Sequence, residues 1–146
     1  MAFLLLFTSI SRIKIFSGLY WETGLIFCMK RISMLYSESL KKNKDFQKVY
    51  NTGKSYANKY LVMYIRKNSI CRNRLGISVS KKVGNSVVRH RLTRLIRESY
   101  RLQEEHFLCG YDMIAVVRVN ARNCTFADME SALIHLGKLH KIYKRM

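Results

Sequence analysis

The sequence predicts an α+β fold: a single two-layer domain with helices packed on a small sheet, in the order α-β-β-α-β-α. Three observations predict it. A chain of 146 residues fits one domain better than two. Runs with a period of two alternate with runs of helical period. No proline, low-complexity linker or internal repeat divides the chain. Hydrophobic residues, at 49%, supply enough apolar material for one core.

The first helix is expected over Asn43–Asn51, where Phe46, Val49 and Tyr50 share a face, with Asn43 as its N-cap and Gly53 as its stop. The segment SYANKYLVMYIRK then alternates Tyr60, Val62 and Tyr64 with Leu61, Met63 and Ile65, as in a strand covered on both faces. After a polar turn at Asn68 and Ser69, RLGISVSK sets Leu75, Ile77 and Val79 on one side of a second strand, expected to pair with the first as a hairpin.

GNSVVRHRLTRLIRESYRLQEE is the strongest helical signal, started by Asn85 or Ser86, with Val88, Leu92, Leu95, Ile96 and Leu102 on one arc. YDMIAVVRV, residues 111–119, is the third strand. A capping box formed by Thr125 and Asp128 opens the last helix, which is expected to bury Met129, Leu133, Leu136 and Leu139.

Residues 1–33 read as an N-terminal extension. They are apolar and aromatic without a period, either disordered or upstream of a true start at Met29 or Met34, and the domain is assigned to 34–146. The run Phe3 to Ile10 has no cations before it, unlike a signal peptide, and no stretch reaches the ~18 apolar residues of a membrane span.

Charge narrows the partner. The chain carries 27 Lys and Arg against 9 Asp and Glu, a formal +18. Self-repulsion of that size disfavours the compact state unless a polyanion relieves it, which points to nucleic acid ahead of an acidic membrane. The four cysteines, Cys28, Cys71, Cys109 and Cys124, form no CxxC pair and are read as reduced thiols of a cytoplasmic protein. A metal site from Cys109, Cys124, His135 and His140 lacks finger spacing, and no specific metal is assigned.

His90, Arg94, Arg97 and Arg101 fall at i, i+4, i+7 and i+11 of the long helix, opposite its apolar arc, with Arg89 and Arg91 on the flanks. A solvated face usually mixes signs, gaining ~0.2–0.5 kcal/mol per i,i+4 pair. Here cations crowd the N-terminal half while Glu104 and Glu105 sit at the other end, against the macrodipole. Phosphates explain the row, since arginine adds planar bidentate contacts. Upstream, Lys81 and Lys82 enter the Gly84-Asn85 turn, so two further cations and the free N–H groups of a helix start face the same way.

The stretch SVSKKVGNSVVRHRLTRLIRE resembles the signature of the ribonuclease P protein family: a strand, Lys-Lys, Gly-Asn, then an Arg-Asn-Arg helix with spaced arginines. LKKNKDFQKVY and YANKYLVMY resemble the family's first helix and first strand, and the resemblance spans about residues 39–140. One departure is His90 at the usual central Asn, a titratable imidazole that adds charge to the stripe when protonated.

The resemblance implies a protein subunit that assists a catalytic RNA in removing the 5′ leader from precursor tRNA. The RNA subunit would be bound through Lys81, Lys82, Asn85, Arg89, His90, Arg91, Arg94, Arg97 and Arg101. It further implies Mg²⁺ held mainly by that RNA, no obligatory protein partner, and a sheet with a left-handed βαβ crossover. By spacing alone, Phe46, Tyr50 and Tyr64 suit core packing; the resemblance instead assigns them to a cleft for the single-stranded leader, where base stacking is worth ~1–3 kcal/mol per base.

No protein active site stands out: Glu38, Asp45, Asp112, Asp128 and Glu130 are scattered, and His106, His135 and His140 lack a nucleophile at a recognisable spacing. A ribosomal or other structured-RNA-binding protein would share the charge and the arginine helix without needing the aromatic cleft. A peripheral membrane protein would need residues 1–33 to bind lipid.

Overall fold

The computed structural model describes residues 37–144. The expected extension, residues 1–33, and the candidate starts Met29 and Met34 lie outside them. The elements are β1 (Ser37–Ser39), α1 (Asn43–Thr52), β2 (Lys54–Ala57), β3 (Leu61–Lys67), β4 (Asn73–Val79), α2 (Ser86–Gln103), β5 (Tyr111–Val117) and α3 (Phe126–Leu139). The expected α+β order is present, with two additions: β1 precedes α1, and the segment after α1 is divided into β2 and β3.

Asn58 makes that division. Its Oδ1 accepts the N–H groups of Tyr60 and Leu61 at 3.0 and 2.8 Å, and its Nδ2 donates to the Ala132 carbonyl at 2.9 Å. An asparagine that satisfies its own turn stops the strand, and the chain folds β2 back antiparallel on β3.

The sheet order is β1-β4-β5-β3-β2. The expected β3–β4 hairpin is therefore corrected: β5 lies between them, parallel to β4 and antiparallel to β3. Met113, Ile114, Ala115 and Val117 are all buried. A strand so apolar on both faces is stable only at the centre of a sheet, and the parallel β4–α2–β5 crossover puts it there.

One face of the sheet carries Leu61, Met63, Leu75, Met113 and Val117 against Leu92, Ile96 and Tyr100 of α2 and Met129, Leu133 and Leu136 of α3. Burying each large side chain contributes about 1.5–3 kcal/mol. On the other face α1 sets Val49 with Leu40 and Ile114, and Phe46, Tyr64 and Val116 pack around them. This is a partial third layer beyond the two expected, and it leaves the rest of that face uncovered by any helix among the described residues.

Three local expectations are corrected. Lys42, not Asn43, occupies the cap position of α1, without a side-chain cap bond. Leu102 and Leu139 are 49% and 40% exposed; Ser99 and Tyr100 continue the arc of Leu92 and Ile96, and Gly137 and Ile142 close the core beside α3. Gly53 ends α1 as expected, because a Cβ there would collide with the Val49 carbonyl oxygen.

An ionic network fixes the sheet beneath α1. Arg74 donates from Nε and Nη2 to the buried Asp112 carboxylate at 2.7 and 2.6 Å, Asn68 adds a bond of 2.8 Å, and Arg74 Nη1 reaches Asp45 of α1 at 3.3 Å. Burial alone would raise the Asp112 carboxyl, but the Arg74 and Asn68 bonds outweigh it and hold it below the usual carboxylate value.

Candidate nucleic-acid interface

α2 is started as its sequence dictates. Asn85 Oδ1 accepts the Val88 N–H at 3.0 Å, and Gly84 leaves room for the Val88 side chain, which a Cβ would meet at 3.0 Å. Between β4 and α2, a 3-10 turn at Lys81–Val83 buries Val83 and exposes Lys81 and Lys82. This turn hands both lysines to the face on which α2 begins.

Along α2 the predicted cations divide into two groups. His90 and Arg94 are exposed and Arg97 is half-buried; none of the three has a hydrogen-bond or ion-pair partner among the described residues, and together with Lys81 and Lys82 they form a row of uncommitted donors. Arg101 and Arg91 are engaged. Arg101 is held by Glu98 at 2.9 and 2.5 Å, a paired geometry that neutralises it. Arg91 turns aside to donate to the carbonyls of Cys124 and Arg122 at 3.0 and 3.4 Å, tying α2 to the turn before α3. Arg89 is half-buried, with its Nε unpartnered, and Asn85 spends its Oδ1 on the cap.

The aromatics do meet. The rings of Phe46 and Tyr50 stand 6.4 Å apart and those of Tyr50 and Tyr64 4.9 Å apart, edge to face. Tyr50 is 37% exposed, while Phe46 and Tyr64 are half-buried. Phe46 lies on Gly76 of β4, where a Cβ would stand 2.7 Å from the ring. The three form one continuous apolar ledge at the edge of α1, part core and part surface.

Sequence reasoning missed the continuation of this ledge. The register places Ala57, Val62, Val116 and Ser78 in one row across β2, β3, β5 and β4, on the Tyr64 face. Strand parity could have given the face, though not the neighbours. At the end of the row, Arg118 donates to the Asn58 carbonyl at 2.8 Å. The turn carrying Val119–Ala121 packs on the Lys81–Val83 turn, so Lys81 and Lys82 lie where the two surfaces approach.

Among the described residues, no group of three or more His, Cys, Asp or Glu side chains is placed to hold a metal ion. Nor is any described helix long and apolar enough to cross a membrane. The site offers uncommitted cations and aromatic stacking surfaces, the chemistry that suits a polyanion.

Known proteins match this chain in sequence and fold. The family model Ribonuclease P matches residues 34–141. The ribonuclease P protein component of Lachnoclostridium phytofermentans is 59% identical over 106 residues, 73% of this chain and 91% of its own length. That of Clostridioides difficile is 50% identical over 103 residues, 70% of this chain and 90% of its own. Among solved structures, the RNase P protein of Staphylococcus aureus is 39% identical with a TM-score of 0.69, covering 74% of this chain and 99% of that one. The Thermotoga maritima protein is 31% identical with a TM-score of 0.64, covering 68% and 94%. With its fold, its basic helix and the match over 34–141 in agreement, the chain belongs to the ribonuclease P protein family, the protein components of an endoribonuclease holoenzyme.

Proposed function

We propose that this chain binds a ribonuclease P RNA through Lys81, Lys82, His90, Arg94 and Arg97 and holds the single-stranded 5′ leader of precursor tRNA on the Phe46–Tyr50–Tyr64 ledge. The observation that carries this is the pairing of uncommitted cations on α2 with an aromatic ledge on the other face of the same sheet. A structured RNA needs the first, and an unpaired strand of any sequence needs the second.

Catalysis then belongs to the RNA. The protein neutralises phosphates and positions the leader, and Mg²⁺, held mainly by the RNA, supplies the metal chemistry of phosphodiester hydrolysis. Nothing in this role requires a membrane or a second protein, and it places the chain in the cytoplasm with its substrates.

The test is cleavage of a leader-bearing precursor tRNA at low Mg²⁺ by a bacterial ribonuclease P RNA, with and without the full chain. Accurate cleavage is expected only with it. Tyr64→Ala is expected to weaken precursor binding about tenfold while leaving mature tRNA unaffected; equal losses for both would remove the leader role. No rescue by the wild-type chain would return the reading to another structured-RNA-binding protein.

A further inference from the structure

The sheet has an unfinished edge beside α2. β1 pairs with β4 only at Asn73–Leu75, and the last bond on that side is Leu40 N–H to the Leu75 carbonyl at 3.0 Å. The strand period turns the main-chain polar groups of Ile77 and Val79 to the same edge as those of Leu75. Past Leu40 no strand covers that edge among the described residues. Open edges invite a hydrogen-bonding partner.

A cavity of about 90 Å³ opens at this corner, lined by Ser39, Leu40, Leu75, Ile77, Thr93 and Arg97. A cavity of about 150 Å³ holds a whole benzene ring, so this one has room for the edge of one planar ring and not for a whole nucleoside. Leu40, Leu75 and Ile77 supply apolar walls, while the hydroxyls of Ser39 and Thr93 and the edge of Ile77 supply donors and acceptors. Thr93 Oγ1 donates to the Arg89 carbonyl at 2.9 Å and keeps its acceptor capacity. Arg97, without a partner among the described residues, belongs to the same lining and to the cation row.

We propose that this corner receives the edge of one unstacked nucleobase of the RNA subunit, with Arg97 on the adjoining phosphate. The proposal rests on the RNA-binding reading above and adds a base contact to what would otherwise be a contact with phosphates alone. A phosphate-only surface needs no apolar-walled cavity, and an apolar peptide side chain would not call for an uncommitted arginine in the lining. A strand edge that pairs with a base reads hydrogen-bonding pattern, so the contact discriminates among RNAs as a charge row cannot.

The experiment uses the full chain and a transcript of the Clostridioides difficile ribonuclease P RNA. Base-edge reactivity toward dimethyl sulfate and a carbodiimide is read at nucleotide resolution, alongside affinity by filter binding. The wild-type chain is expected to protect an unpaired base that Ser39→Leu, filling the cavity, exposes again, with affinity falling about tenfold. The protection of phosphates from hydroxyl radicals along α2 should persist.

Ser131→Leu, at an exposed serine on α3, should leave both readouts unchanged. Ser39 ends an edge strand and is exposed, so its variant should keep the wild-type melting temperature; if it does not, Thr93→Leu blocks the same cavity from the helix side and decides the question. A folded blocked variant with the wild-type base footprint and affinity overturns the pocket alone. A wild-type chain that does not bind the transcript overturns the RNA-binding reading and the pocket with it.

Discussion

Arg94 and Arg101 look equivalent on a helical wheel and differ in the fold. Arg101 already satisfies its fork on Glu98, whereas Arg94 is exposed and uncommitted. Arg94→Ala should therefore weaken binding to the RNA subunit and lower the dependence of log K on log salt by about one contact, while Arg101→Ala should change that slope by less. Salt titrations of the two variants against wild type check this, and equal slopes would contradict it. The spacing of Glu98 and Arg101, i and i+3, carries that pairing, but the sequence reading counted Arg101 with the free cations. The diversion of Arg91 was not legible, because the carbonyls it holds lie 31 and 33 residues away.

His140 sets a second expectation at this scale. Its ring is partly buried against Tyr56, 4.6 Å between centroids, with Nε2 3.0 Å from the Met63 carbonyl oxygen. Burial lowers its pKa from the ordinary 6.5, and the Met63 bond only partly offsets this. The unfolded chain therefore takes up the proton first. The contribution to stability is complete above pH 6.5 and is lost as the pH falls through the depressed folded value. The melting temperature should drop between pH 7.5 and 5.5, and His140→Gln should flatten that drop; an equal drop in both proteins would assign it to other groups. Asp112, held below 3.8, does not titrate in this window.

At the scale of elements, α1 is seated by a glycine. Gly76 lets the Phe46 ring lie on β4, and a Cβ would meet its Cζ at 2.7 Å and Cε1 at 2.9 Å, with Leu40 at 3.2 Å. Gly76→Ala should push the ring outward and tilt α1, at a cost of about 1–3 kcal/mol. Because Tyr50 is carried on the same helix, leader affinity should fall with stability while binding to the RNA subunit through α2 is retained. Thermal melting with paired binding assays on leader-bearing precursor and RNA subunit checks it, and equal losses for both RNAs would contradict it.

Elements were legible where they carry their own signal. The Asn85 cap and the Thr125–Asp128 box announce α2 and α3, and both are present in the fold. β1 was not legible, because three residues, Ser37 to Ser39, have no period to show, and their place is fixed from a distance by Ser37 Oγ on the Tyr100 hydroxyl at 2.9 Å. Alternation told which residues of β3 and β4 share a face but could not tell that β5 would separate them. A strand's period encodes its faces, and its neighbours are chosen by which strand most needs both edges covered.

At the scale of the whole molecule, the formal charge of +18 competes with the ion pairs that hold the fold. Among the described residues, Arg72–Glu38 is exposed and worth little, Arg101–Glu98 and Arg74–Asp45 are half-buried, and Arg74–Asp112 is buried well enough to escape most screening. Repulsion among the remaining cations is spread over the surface, where salt screens it well. Added KCl should therefore weaken the repulsion more than the attraction, and the melting temperature of the free chain should rise by a few degrees between low and moderate salt. Bound to the RNA subunit, the same chain should show the opposite slope. There its cations are matched by phosphates, binding adds to apparent stability through mass action, and salt weakens that binding. Melting curves of free and bound chain across one salt series measure both slopes. A free-chain melting temperature that falls with salt would mean that the ion pairs outweigh the net charge, and the excess of cations would then no longer argue for a polyanionic partner.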